Sequence, residues 1–585
     1  MKKIFIPVLA AGLFSLTSCQ DFLNAENIYN KDLDSYYADP TEIDQAIVGM
    51  YMNMYSSDDN SNEQTIVNYC DDIVLGGGSV SLEPAYYMDK YENPEYDTHQ
   101  VMWADSYTGI YRANALIETL SQDGEFDKLR SYFSSDAACE EYIAQSLGEA
   151  YFMKGYYYLR LGRWFGGVPI INTADGDRYV GRSSFEDTFS LVVTCFKNAY
   201  EAFPDKAATS YTTDEYGHAN KWIAAGYLSR AFLHATGYLT NIENTTTTEI
   251  PLYEESGSVT KDYVVTALED CMANSGYALL SDFRSLWHYS YTNYCSELYG
   301  DSHGDNLLPW AKNEGLVWAG QDGFSATLAG TTGNSEVMFA MLCGLDAWTP
   351  SLTGNLNRQS LAFGQGGNNS GAFLSGWAYG PAHPALYEEW DDTDLRKKGS
   401  IVYTQDTENF IDGHDVPSCV QYTQYIGKKY VTQALNYSNT GGIFNFVYDN
   451  AFNHKQLQCV ANFVLLRYSD ILLMHSELTE TADGMNQVRR RAGLSDTSYS
   501  LYQIKWERLY EFAYESIRFY DLVRWGDLYS NDNTVTYFGK SADVYNNYDL
   551  QTYTVAPPAE QKGLHKIPES EMELSNGAYE QNPGW

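Results

Sequence analysis

The chain has 585 residues, with 37 basic against 77 acidic side chains and a formal net charge of −40. A surface this acidic repels nucleic acid and other polyanions, and it suits a neutral or weakly charged ligand. Aromatic residues make up 15% of the chain, with 51 Tyr, 25 Phe and 12 Trp; such rings stack on the C–H faces of sugars, although most pack helices together.

The first nineteen residues read MKKIFIPVLAAGLFSLTSC: Lys2 and Lys3, an apolar run from Ile4 to Leu16, then Leu16-Thr17-Ser18 ahead of Cys19. The run is too short to span a bilayer and has the layout of a secretory signal. Its end resembles the lipobox of bacterial lipoproteins, in which the signal is cut before the cysteine and the thiol is acylated. Residues 1–18 are therefore expected to be a signal peptide, with Cys19 the lipidation site and several acyl chains holding the mature chain on a membrane. The other eight cysteines are scattered and form no Cys-x-x-Cys pair, so neither a zinc ribbon nor a thioredoxin-type site is indicated.

Residues 19–280 read as helical. Ile43, Ile47, Met50 and Met54 recur at three-to-four spacing, as do Trp103, Tyr107, Ile110, Asn114 and Ile117. Leu147–Trp164 is amphipathic and ends at Gly166, Gly167 and Pro169, and helical character returns over Ala219–Tyr238 and Tyr263–Met272. No clean 34-residue repeat emerges.

Residues 281–450 read as a loop-rich insert. Within 301–380 there are only 8 charged residues but 14 of the chain's 46 glycines, punctuated by Trp310, Trp318, Trp348 and Trp377. Low charge, pliable backbone and spaced rings suit a neutral-ligand surface, and they suit an ordinary packed insertion equally.

Residues 451–585 return to helices: Phe463–Thr479, Met485–Ala492 and one long run from Ile504 to Trp525. In that run Glu507, Glu511 and Glu515 lie four apart, and Glu515, Arg518, Asp521 and Arg524 follow three apart. The spacing favours structural ion pairing along one side of the helix over catalysis.

At this point motifs accumulate. FVLLRYSDILLMHSE (Phe463–Glu477), NQVRRRAGL (Asn486–Leu494), IKWERLYEFAYESIRFYDLVRWG (Ile504–Gly526) and the ending LHKIPESEMELSNGAYEQNPGW (Leu564–Trp585) resemble, in order, the conserved segments of SusD/RagB-type nutrient-binding lipoproteins. Leu509 and Tyr510 interrupt the usual basic start of the third. Upstream, LGEAYFMKGYYYLRLGRWFGGVP, GHANKWIAAGYLSRAFLHATGY and NSEVMFA (Asn334–Ala340) fall in the expected places. The resemblance spans the whole mature chain, 19–585. It implies a mostly α-helical SusD-like fold of four TPR-like helix–turn–helix units with a variable, loop-rich glycan face. It also implies a TonB-dependent SusC-like transporter as partner, with this chain as its extracellular lid at the outer membrane and no chemistry or cofactor of its own.

The residues agree on the last point. HExxH, GxSxG, GxGxxG and P-loop signatures do not occur, and Gly76–Gly78 has no following lysine and reads as a turn. Asp58, Asn60 and Asn62 begin like a calcium loop, but Glu63 stands where glycine is needed and Tyr69 where the bidentate glutamate belongs. Asp391, Asp392 and Asp394 could offer paired carboxylates for glycoside hydrolysis, but closely spaced acids in a polar loop are usually solvated.

By motif order, the resemblance places ligand loops at Asp72–Tyr91 with Tyr86 and Tyr87, after NSEVMFA with Trp348, and at GWAYG with Trp377 and Tyr379. Asp72 and Asn93 are candidate hydrogen-bonding partners for sugar hydroxyls, whereas Trp103 reads as core. The expected function is capture of a neutral oligosaccharide or polysaccharide at the cell surface. A secreted glycoside hydrolase and a non-catalytic adhesin are the alternatives.

Overall fold

Short polar side chains start the long helices by accepting amides that a first helical turn leaves unpaired. In this computed structural model, which describes residues 37, 39–55, 63–78, 84–92, 99–212, 215–287, 313–320, 333–343, 357, 359, 362–364, 376–406, 416, 418–431, 461–530 and 534–585, helix α1 (Pro40–Met52) is capped by Asp39, whose carboxylate accepts from the Glu42 amide at 3.1 Å. Helix α2 (Gln100–Leu120) follows. Ser135 caps α3 (Asp136–Phe165), Ser184 caps α4 (Phe185–Ala202), Asn220 caps α5 (Lys221–Asn241) and Thr260 caps α6 (Lys261–Asn274). Helix α3 begins eleven residues before the expected Leu147, since Cys139, Tyr142 and Ile143 carry the apolar stripe back into its first turns. It stops at Gly166, where φ is +74° and the Gly166 amide reaches the Gly162 carbonyl at 2.9 Å.

The C-terminal part holds α7 (Tyr468–Thr479), α8 (Asp483–Arg491), α9 (Leu501–Phe512) and α10 (Arg518–Trp525). Helices pack in four successive pairs, α1 on α2, α3 on α4, α5 on α6 and α7 on α8, and each pair also touches the next. This is the mostly α-helical arrangement expected. Strands are short: β1 (Glu249–Pro251) with β2 (Ser258–Thr260), β3 (Val337–Met341) with β6 (Phe463–Arg467), β4 (Ile401–Tyr403) with β5 (Tyr425–Gly427), and β7 (Ala542–Asn546) with β8 (Asp549–Tyr553), all antiparallel. Among the described residues most buried apolar side chains, from Tyr37 to Ile567, form one cluster, and two small ones lie apart from it, Leu75 with Ala542 and Val544, and Ala378 with Cys419 and Tyr422. No helix of the described residues is long and apolar enough to cross a membrane.

Two expectations are corrected. The stretch Phe463–Arg467 is strand β6, paired with the NSEVMFA strand, and its helix starts only at Tyr468. The run Ile504–Trp525 is two helices, α9 and α10, broken at 513–517 where Tyr514 and Ser516 adopt φ of +66° and +62°. Long-range contacts hold the break: Tyr514 donates to the Gly380 carbonyl and Ser516 to that of Gln64.

The acids of that run are paired, as the spacing suggested, but mostly with bases far away in sequence and inside the protein. Glu511 meets Arg467 at 2.7 Å, Arg396 at 3.4 Å and Arg491. Glu515 meets Lys429 at 2.6 Å and Arg467 at 2.8 Å, and Glu507 meets Arg396 at 2.6 Å and Arg489 at 2.9 Å. Glu336 and Asp394 complete a web of five acids and five bases. Burial alone would raise the Glu511 carboxyl, but Arg491, Arg467 and Arg396 hold it far below the ordinary carboxylate range. A second balanced set joins Asp470, Asp521 and Glu477 to Arg230, Arg508 and Arg524.

Candidate glycan-binding face

Segment 74–78, which contains the glycine turn, lies between two other stretches of chain. On one side the Leu75 amide donates to the Pro381 carbonyl at 2.9 Å, the Gly78 amide to Ala378 at 3.0 Å, and the Gly380 amide to Gly76 at 3.0 Å. On the other, the Val420 amide donates to Gly78 at 2.9 Å and the Gln421 side-chain oxygen accepts from the Gly77 amide at 2.8 Å. Gly77 is required here: its φ is +69°, and an added Cβ would stand 2.3 Å from the Ala378 carbonyl oxygen. Asp89 anchors the far side, accepting from Gln421 at 2.7 Å and Tyr553 at 2.6 Å. Its burial pushes the carboxyl up to about 7, against the pull of those two donors and the Gly76 amide.

This platform carries Trp377. Its side chain is 41% exposed, one of the few large rings left open among the described residues. The ring meets Tyr379 at 5.7 Å between centroids with the planes 65° apart, and Tyr379 in turn meets buried Tyr69 edge-on at 6.2 Å. A line of rings thus runs from core to solvent, fixing an exposed indole by the ring behind it.

The other expected residues fare differently. Asp72 is corrected: it is 3% exposed and takes Arg518 through both oxygens at 2.8 Å, Thr536 at 2.9 Å and the Tyr537 amide at 2.8 Å. Burial would raise this carboxyl, but Arg518 holds it below its usual range, and the bidentate pair leaves it no place at a ligand surface. Tyr87 is half-buried on the short helix Pro84–Asp89, which also contains Tyr86. The Tyr86 side chain, together with Cys19, Asn93, Trp310, Trp348 and residues 58–62, lies outside the described residues. Glu63 belongs to the interior, bound to Arg160 at 3.0 Å and Tyr520 at 2.8 Å. Trp103 is core, as expected, at 3% exposure, and Trp318 is packed inside at 2%.

The acidic triplet does not converge on a cleft. Asp394 is buried, caps the turn at 395–400 and binds Arg396 at 2.7 Å and the Trp390 indole at 3.0 Å. Asp391 accepts from the Thr393 amide and hydroxyl, and Asp392 pairs with Lys397 at 2.5 Å. All three serve local structure.

One feature escaped the sequence reading. Tyr387, Tyr425 and Tyr403 stack with centroids 4.8 and 5.0 Å apart, half-buried, beside the platform through the Ala382 amide bonded to the Tyr425 carbonyl. Tyr403 and Tyr425 face each other across β4 and β5, a pairing too short to leave a periodic signal.

A helical frame presenting an exposed ring on a braced loop platform describes a binding scaffold. The profile of the SusD family matches residues 381–585, and a second profile, described as starch-binding and associating with the outer membrane, matches residues 21–233. This chain belongs to the SusD/RagB family. It is 23% identical over 564 residues to the SusD-like protein P25 of Formosa agariphila, covering 90% of this chain and 91% of that one. Its fold is similar to surface glycan-binding protein A from Bacteroides fluxus, with a TM-score of 0.65, 19% identity and coverage of 93% and 99%. The same protein from Bacteroides thetaiotaomicron, solved in complex with laminarihexaose, gives a TM-score of 0.64, 16% identity and coverage of 93% and 99%.

Proposed function

We propose that this chain is a non-catalytic surface lipoprotein, anchored through Cys19 to the outer membrane, that captures a neutral oligosaccharide and hands it to a SusC-like TonB-dependent transporter for which it serves as lid. The observation that carries the reading is Trp377, held open on the Gly77 platform with Tyr379 behind it. Tyr86, Tyr87 and Trp348 are kept in this reading as further candidate ligand residues, on the sequence motifs alone. The laminarihexaose complex of the Bacteroides thetaiotaomicron relative supports a glycan ligand, and the outer-membrane description of the second family profile supports the location. Engagement of Asp391, Asp392 and Asp394 in local structure weighs against the hydrolase alternative.

The test is calorimetry of the chain and its Trp377→Ala variant against a panel of neutral oligosaccharides that includes laminarihexaose, with a product assay run in parallel. Loss of one stacking ring is expected to weaken binding by roughly tenfold or more, by analogy with ring–base stacking of about 1–3 kcal/mol. Unchanged binding by the variant removes Trp377 from the site, and the appearance of shortened sugars overturns the non-catalytic reading.

A further inference from the structure

A second concave aromatic site is built from residues that share nothing with the Trp377 platform. On α2, Trp103, Tyr107 and Tyr111 recur every four residues and so share one side of the helix. With Tyr579 from the C-terminal tail they wall a cleft of about 350 Å³, within the range of small-ligand pockets. Trp103 contributes little more than an edge, while the three tyrosines are half-buried.

The walls are preformed. Tyr107 donates to the Pro169 carbonyl at 2.8 Å, Asn114 to that of Ile171 at 2.9 Å, and Glu118 accepts from the Ala174 amide at 2.8 Å, which pins the 169–174 stretch to α2. Arg182 ties the neighbouring strand of chain to the tail, donating to the Glu580 carbonyl at 2.6 Å and the Asn582 side chain at 2.7 Å. A ligand would meet the cleft without ordering it first, which favours affinity.

The lining selects by chemistry. Arg178 sits 5.8 Å over the Tyr111 ring, and Glu571 is its acidic counterpart in the lining. One base and one acid give no net sign, so a phosphate or carboxylate ligand meets a carboxylate and a cation meets a guanidinium. A hydrocarbon chain would strip water from both charged groups and offer neither a hydrogen bond. A ring with apolar C–H faces and hydroxyls at its edge matches both the aromatic walls and the two polar groups.

We propose that this cleft is a second carbohydrate subsite, taking one neutral pyranose unit of a bound glycan or a free monosaccharide. The proposal rests on the glycan-binding reading above but uses different residues. Its test is to soak crystals of the chain with glucose, galactose, mannose, xylose and N-acetylglucosamine, and in parallel with phenol as a mimic of a partner's aromatic side chain. Affinities for the sugar that binds are then measured by ligand-observed NMR on the parent and variants. A sugar ring stacked on Tyr111 within reach of Arg178 is expected. Tyr111→Ala should weaken it roughly tenfold or more, as should Arg178→Ala, which alters a solvent-facing side chain and leaves the core intact. Trp377→Ala should leave this site unchanged. A cleft empty with every sugar, or filled by phenol alone, overturns the inference, the latter assigning the cleft to a protein side chain. Sugar at Trp377 with none in the cleft overturns the inference and leaves the proposed function standing; sugar in the cleft with none at Trp377 supports it and counts only against the Trp377 site.

Discussion

The charged web around Glu511 and the ring platform around Trp377 differ in what they leave unpaired. In the web, three arginines from three stretches of chain converge on one buried carboxylate, and every charge is matched inside the protein. On the platform, backbone hydrogen bonds and Gly77 do the holding, and the indole they display is left to solvent. Frame and face are therefore separable: damage to the first should act on stability, and damage to the second on ligand.

The largest effect expected is on the frame. Glu511→Gln leaves Arg467, Arg491 and Arg396 short of a buried counter-charge, and removal of one partner from such a set costs about 3–5 kcal/mol. Urea unfolding should show it, and a loss under about 1 kcal/mol would mean that the web is not structural.

The two regions should also answer pH in opposite directions. Asp470, in the frame, is buried yet is brought down to about 2 by Arg508 and Arg230. Its contribution is present above the unfolded value near 3.8 and is lost as pH falls toward 2. Asp89, on the platform, is raised by burial to about 7, so folding favours its protonated form and stability falls as pH rises from about 4 to 7. That loss is on the order of 3 kcal/mol, and Asp89→Asn should abolish it in unfolding curves taken across the range. An unchanged profile in the variant would assign the pH dependence elsewhere.

A smaller effect on stability is expected from Gly77→Ala, at least about 1 kcal/mol from the left-handed backbone alone. Because its new Cβ would push on Ala378, the loss of glycan affinity should exceed the loss of stability. The smallest is Trp377→Ala, which should shift unfolding by no more than about 0.5 kcal/mol while weakening sugar binding. A large destabilisation there would make Trp377 part of the frame.

What the sequence disclosed follows the same division. The α1 stripe of Ile43, Ile47 and Met50 is buried as its spacing implied, because amphipathic periodicity is a local signal. Ion pairing of Glu507, Glu511 and Glu515 was legible as a fact, but the partners were not, since Arg396 and Arg467 reach them through tertiary folding rather than helical spacing. The break at Tyr514 and Ser516 was hidden for the same reason: its cause lies in Gly380 and Gln64. Asp72 was misread because nothing in its neighbourhood reveals a partner 446 residues away. The exposure of Trp377 was legible because Gly, Ala and Pro around it mark a turn, whereas the stack of Tyr387, Tyr403 and Tyr425 depends on a three-residue strand pairing that leaves no trace in composition.

The reach of the Asp72–Arg518 bridge sets an order of assembly. A chain that emerges from its N-terminus presents Asp72 long before Arg518 exists to meet it, whereas Glu63 finds Arg160 within the N-terminal helices themselves. Burying the Asp72 carboxylate early would strand a charge in the apolar interior. The N-terminal helices therefore hold Asp72 without its partner until the chain has been made as far as Arg518.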